Sequence, residues 1–368
     1  MNSDFKTFII AEAGVNHNGS IDMGKRLIDV AVEAGADAVK FQTFRAEHVV
    51  SLGAPKAEYQ THTTDKNESQ VEMIRKLELT ESDHEVLIDH AEAQGITFLS
   101  TPFDFHSLHL LARHFGIRTI KIPSGEITNA PFLLEIARVA SRVILSTGMS
   151  TLGEVEAALG ILAFGFTQQR GIVLDYDVIA GSFASAEGQQ ALRDRVILLH
   201  CTTEYPAPYA EVNLRAMDTL AEAFGLTVGY SDHTQGIHIS VAAVALGARV
   251  IEKHFTLDSK LPGPDHKASL EPDELRRLVA AIRDVEQARG DGVKRPTAAE
   301  WKNRAVARKS LVATRAIAKG EVFSVDNLAC KRPGNGISPM QWYAILGRTA
   351  PRAFSEDELI ELDCSKGE

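Results

Sequence analysis

Eight short, almost unbroken apolar runs recur along the first 255 residues, separated by polar or amphipathic stretches. They occupy residues 7–14, 38–43, 97–102, 119–124, 142–147, 195–202, 227–232 and 249–255. A strand that is apolar at nearly every position, not at alternate ones, is one covered on both faces. Most of the intervening stretches carry helical spacing. In residues 22–33, Leu27, Ile28, Ala31 and Val32 fall on one side and Gly35 supplies the stop. Residues 273–287 begin behind Pro272 with acidic residues in the first turn and end near Gly290. Residues 33–43 and 245–256 echo one another: helix end, glycine, alanine, strand, then polar side chains. Eight strands alternating with helices predict a (β/α)8 TIM barrel. An open doubly wound sheet is the alternative, and it lacks its G-x-G-x-x-G turn after the first strand.

Two segments interrupt the rhythm. Residues 45–77 leave the second strand directly, which places them at the mouth of the barrel as a candidate lid. Residues 164–194 follow a helix and are expected on the opposite face. Beyond the barrel, assigned to 1–288, the stretch 289–305 reads as a polar linker. Residues 306–368 then turn to short strands and Gly- and Pro-rich loops, a separate small β-rich domain.

Composition excludes several classes. A net charge of −10 argues against general nucleic-acid binding, although a few lysines can still dominate one cleft. No apolar window reaches the length of a membrane span, and the N-terminus lacks a signal-peptide pattern. Cys201, Cys330 and Cys364 are too widely spaced for a disulfide framework or a zinc motif, which suits a reducing cytoplasm.

In a barrel of this type the C-terminal strand ends share one rim. Here they carry Glu12, Lys40, Gln42, Thr101, Lys121, Ser124, Ser146, Ser231, Asp232, His233, Glu252 and His254, with His17 in the first loop. Two chemistries stand out. Lys40 and Lys121, with Ser124, Ser146 and Thr101 near them, suit a phosphate or carboxylate. The turn 146–150 is expected to add backbone N–H groups to that anion site. His233 and His254 sit at equivalent depth on neighbouring strands and suit a divalent ion or a proton-transfer pair, with Glu126 as a further carboxylate. Lys253, adjacent to His254 on a strand, should point to the opposite face and is read as structural. Cys201 is read as a core residue.

The runs AEAGVNHNGS, VKFQTF, LSTPFD, KIPSGEITN, ILSTGMS, LHCTTEYPAP, GYSDHT, IEKHFTLD and GPDHKASL, spread over residues 11–270, resemble the sialic acid synthase family. The tail, with KRPGNG at 331–336, resembles that family's antifreeze-like (SAF) domain. The resemblance implies condensation of phosphoenolpyruvate with an open-chain, N-acylated mannosamine-type sugar to a nine-carbon keto acid and phosphate. It implies phosphoenolpyruvate binding by Lys40, Gln42, Thr101, Lys121, Ser124, Ser146 and Ser231. It implies a divalent metal, Mn2+ or Mg2+, on His233 and His254. Glu126, His233 and Lys121 would be the catalytic groups. Tyr205 and Asp265 would face the sugar, and Arg332 would reach it from the partner chain of a domain-swapped homodimer. NHNG, with Asn18 where the N-acetylneuraminate branch carries glutamate, together with AEYQ at 57–60 and KLELT at 76–80, looks most like the legionaminic acid branch. N-acetylneuraminate synthesis is the alternative, and the intact rim argues against a catalytically dead binding protein.

Overall fold

The computed structural model describes residues 6–51, 53–56, 68–168 and 175–362. AEYQ at 57–60 and Cys364 lie outside them. Two units are present, Met1–Asp291 and Gly292–Glu368.

The first unit contains eight strands: β1 (Phe8–Gly14), β2 (Ala38–Thr43), β3 (Thr97–Pro102), β4 (Thr119–Ile122), β5 (Arg142–Ser146), β6 (Val196–Cys201), β7 (Thr227–Asp232) and β8 (Val250–His254). They are hydrogen-bonded in the order β3-β2-β1-β8-β7-β6-β5-β4, every pair parallel. The β1–β8 pairing joins the first strand to the last, and β3 and β4 at the two ends of the sheet adjoin, so the sheet curls into the predicted barrel.

The strands are apolar throughout because their two faces meet different cores. Outward residues such as Ile9, Ala11, Val39 and Phe41 pack under the helices. The helix Ile21–Ala34 buries Leu27, Ile28, Ala31 and Ala34; Ser20 caps its start, and Gly35, at φ 78°, ends it in the left-handed region that favours glycine. Inward residues form a plug at the N-terminal end: Ile10, Ala38, Leu99, Ile144, Leu199 and Val250. At Gly229 of β7 a Cβ would stand 2.4 Å from the Val250 carbonyl oxygen, so no side chain fits there. Two residues further along the same strands the inward positions become Glu12, Lys40, Thr101, Ser146, Cys201 and Glu252, which line a cavity. Strand alternation thus places an apolar floor beneath a charged chamber.

Segment 45–77 does meet the mouth. Its described parts include helices Ala46–Val49 and Gln70–Arg75, and Val49, Ile74 and Leu77 pack with Val15, Phe44 and Phe103. Segment 164–194 continues helix Leu152–Thr167 and adds helices Tyr176–Ala184 and Ala186–Arg195. The first of these added helices lies against Gly160, where a Cβ would meet Ile179 at 2.7 Å. The second runs straight into the N-terminal end of β6.

In the second unit, β9 (Ser310–Ala313) and β10 (Leu328–Lys331) pair antiparallel. Leu311, Ile317, Phe323, Leu328, Ile345, Phe354 and Ile360 make its own core. The stretch read as a linker holds a helix, Ala298–Ala307, which belongs to this unit. Among the described residues no helix is long and apolar enough to cross a membrane.

Candidate active site

The chamber at the C-terminal strand ends is a cavity of about 320 Å³. Just above the apolar plug its wall is an ionic lattice. Lys40 Nζ lies 2.8 Å from Glu12 Oε2 and 3.6 Å from Glu252 Oε2, and donates to Thr101 Oγ1 at 2.9 Å. Lys121 Nζ lies 3.3 Å from Glu252 Oε1, which also accepts from Ser231 Oγ at 3.0 Å. Burial pushes the Glu252 carboxyl up, but the ammonium groups of Lys121 and Lys40 outweigh it and hold it ionised. At Glu12 burial wins over Lys40, and Glu252 adds to the upward push. Burial lowers Lys121, with Glu252 opposing, whereas at Lys40 the two carboxylates overcome burial and raise the ammonium. Two cations thus face one firmly ionised carboxylate and one that holds its proton more readily. Both lysines line the cavity, where an incoming anion would meet their ammonium groups.

Two imidazoles stand beside this lattice. The β7–β8 register places Asp232 opposite Lys253, so His233 and His254 follow at the same level, with ring centres 5.6 Å apart. His233 Nδ1 donates to the Thr202 carbonyl at 2.6 Å, which leaves Nε2 with its lone pair. Burial depresses His233 to about 4 and lowers His254 well below the usual imidazole range, with His233 adding to the second effect. Both rings are neutral at pH 7. The Tyr205 ring lies over them, 4.2 Å from His233 and 5.6 Å from His254, centre to centre. Asp265 Oδ2 is 3.8 Å from His254 Nδ1, and burial raises its carboxyl to about 6. Among the described residues, His254 Nδ1, Ser146 Oγ and Thr203 Oγ1 are buried without a hydrogen-bond partner. Orphaned polar atoms around a cavity are what a polar ligand would satisfy.

The sequence profile of the NeuB family matches residues 27–294, and that of the SAF domain matches residues 308–364. The chain belongs to the NeuB family. It is 54% identical over 355 residues to N,N'-diacetyllegionaminic acid synthase of Campylobacter jejuni, across 96% of this chain and 99% of that one. It is 46% identical over 345 residues to the enzyme of the same name from Legionella pneumophila, across 94% and 90%. The crystal structure of N-acetylneuraminic acid synthetase from Leptospira borgpetersenii, in complex with citrate, superposes with a TM-score of 0.64 at 32% identity, covering 81% of this chain and 90% of that one.

In this NeuB-family chain, Lys40, Gln42, Thr101, Lys121, Ser124, Ser146, Tyr205, Ser231, His233, His254 and Asp265 share the lining of one cavity. Two expected residues lie elsewhere. Glu126 ends the short turn Ser124–Glu126 after β4, and its Oε2 accepts from Asn129 Nδ2 at 2.6 Å. Asn129 caps helix Ala130–Val139, so the turn directs Glu126 toward that helix start, while Ser124 and Gly125 face the chamber. Arg332 belongs to the second unit, where its Nε donates to the Ala307 carbonyl at 3.2 Å.

Of the backbone N–H groups expected from the turn 146–150, that of Thr147 is taken by the Leu199 carbonyl at 2.9 Å and that of Gly148 by Ser124 Oγ at 3.0 Å. Gly148 is glycine because a Cβ there would meet Thr203 Oγ1 at 2.3 Å. Cys201 is buried, as expected of a core residue, and also lines the cavity, 3.2 Å from Ser124 Oγ. Lys253 points away from the cavity, as its parity predicts, and pairs with Asp232 at 3.0 Å.

Glu12 and Glu252 stood on the rim without a role, yet they organise both lysines. The signal was strand parity, since Glu252 is two residues before His254 and shares its face.

Proposed function

We propose that the chain condenses phosphoenolpyruvate with 2,4-diacetamido-2,4,6-trideoxymannose to give N,N'-diacetyllegionaminate and phosphate. The observation that carries the reaction class is the convergence of two buried lysines and two neutral imidazoles on one closed-bottomed cavity. The choice of sugar is supported by the 54% identity to the Campylobacter jejuni enzyme. N-acetylneuraminate synthesis is the second reading, favoured by the Leptospira borgpetersenii fold relative.

Lys40 and Lys121 would take the carboxylate and phosphate of phosphoenolpyruvate, with Gln42, Thr101, Ser124, Ser146 and Ser231 completing the contacts. Carbon 3 attacks the sugar aldehyde, water adds at carbon 2, and phosphate leaves with its bridging oxygen. Glu126, one residue past the lining, takes the expected proton-transfer part in this scheme by releasing Asn129. Tyr205 and Asp265, beside the two imidazoles, would face the sugar.

His233 and His254 fit a divalent ion, Mn2+ or Mg2+, by donor chemistry: both are neutral, one has an orphaned nitrogen, and the other is oriented by a carbonyl. Among the described residues no three His, Cys, Asp or Glu side chains gather as a metal cluster, so the two imidazoles are the protein's expected share of ligands. Such an ion, when bound, supplies Lewis acidity toward an aldehyde oxygen. The proposal extends to a cytoplasmic homodimer in which the SAF domain of one chain brings Arg332 to the sugar of the other. Phosphate release from phosphoenolpyruvate, with Mn2+ and either sugar, tests the reaction; no release with either sugar refutes it.

A further inference from the structure

The first-loop motif Asn16-His17-Asn18 has no place in the chamber lining, yet its two asparagines hold the loop that does. We infer that Asn16 and Asn18 form a strap that positions Asp265, with Asn18 and His266 as its latch; this rests on the sugar-facing role proposed for Asp265. Asn16 Nδ2 donates to the Phe255 carbonyl at 2.8 Å and to Ser269 Oγ at 2.9 Å. Ser269 Oγ donates in turn to the Asp265 carbonyl at 2.7 Å. Asn18 grips the other side: Nδ2 donates to the Pro262 carbonyl at 2.9 Å, and Oδ1 faces His266 Nε2 at 3.2 Å.

The latch is specific to these atoms. His266 is fully buried, and Thr256 Oγ1 lies 2.6 Å from its Nδ1. A neutral imidazole has one donor and one acceptor, so Nε2–H donates to Asn18 while Nδ1 accepts from Thr256. Gly263 at φ 148° lies against the pair, where a Cβ would stand 2.7 Å from His266 Cδ2 and 2.9 Å from Asn18 Oδ1. Asn18 has φ 49°, a conformation asparagine adopts more readily than most residues, and its amide supplies the donor and acceptor that the two partners need. Two residues of the first loop thus bracket the carboxylate at the far end of the chain's barrel. Asn18 is a positioning residue: it touches neither reacting centre and acts through Asp265.

Asn18→Gly keeps the left-handed backbone and deletes both latch bonds. The expected result is a KM for the diacetamido sugar raised about tenfold or more, with the KM for phosphoenolpyruvate within about twofold of wild type. Asn18→Asp keeps the acceptor for His266 but loses the donor to Pro262, and should fall between the two. His266→Gln, alone and combined with Asn18→Gly, should show non-additive losses because both changes open one latch. An unchanged sugar KM in active Asn18→Gly, or an equal rise in both KM values, overturns the strap. If Asn18→Gly unfolds, additivity between Asn18→Asp and His266→Gln overturns it instead. Absence of turnover by the wild-type chain would instead refute the reaction on which the strap rests.

Discussion

Replacing Lys253 with methionine removes one partner of a fully buried ion pair and keeps the side chain's volume. Lys253 and Asp232 are both 0% exposed, 3.0 Å apart, on the outward face of β7 and β8, directly behind the two histidines. Lys253 also donates to the Thr234 carbonyl. Burial pushes its ammonium below the usual range, with Asp232 opposing that push. Without it, Asp232 keeps hydrogen bonds from the Thr234 N–H and hydroxyl, each 2.8 Å, and from Ser240 at 2.6 Å, but no cation. Breaking one side of such a pair costs about 3–5 kcal/mol, and the three remaining donors place this case near 3. For a unit of this size that lowers Tm by roughly 5 °C. Adding Asp232→Asn removes the stranded charge and should recover about half of the loss. Thermal and urea unfolding followed by circular dichroism measure both variants. A loss under about 1 kcal/mol in Lys253→Met, or a double variant as costly as the sum of the singles, would show that the pair is not what holds this corner.

His254→Ala should end metal-dependent turnover and weaken Mn2+ binding measured by calorimetry, while phosphoenolpyruvate still binds; unchanged Mn2+ affinity would refute the ligand assignment. His17 is fully buried, and burial depresses its imidazole from 6.5 to about 4. The unfolded chain therefore takes up that proton first as pH falls, so the contribution is complete above pH 6.5 and is lost toward pH 4. At pH 5 the loss relative to pH 7 is about 2 kcal/mol. Urea unfolding at the two pH values should show this in the wild type and less of it in His17→Gln, and identical pH slopes would contradict it. Arg332→Ala should raise the sugar's KM and leave that of phosphoenolpyruvate unchanged; no effect on either would remove the SAF domain from sugar binding.

The barrel was legible because its strands had to be apolar on both faces, and the rim was legible because lysine, glutamate and histidine seldom end an apolar strand without a reason. Lys253 and His254 could be separated by parity alone. What escaped was the consequence of closure. Sequence order says nothing of Glu12 and Glu252 meeting between two lysines, because they lie on the first and last strands of the barrel, which become neighbours only when β1 pairs with β8. The orientation of Glu126 was not legible for a local reason: three residues of turn after β4 set its side chain against Asn129. Cys201 is buried as its apolar strand implies, but its inward position two residues above Leu199 in the plug, where the chamber begins, needed the closed barrel to be seen.

The most direct test of the proposed reaction is a competition in one tube: limiting phosphoenolpyruvate, Mn2+, and equal concentrations of N-acetylmannosamine and 2,4-diacetamido-2,4,6-trideoxymannose, with the products resolved by mass spectrometry. The proposal predicts that phosphoenolpyruvate is consumed and that N,N'-diacetyllegionaminate exceeds N-acetylneuraminate by about tenfold or more. Consumption with N-acetylneuraminate as the main product would contradict the choice of sugar, and no consumption would contradict the reaction.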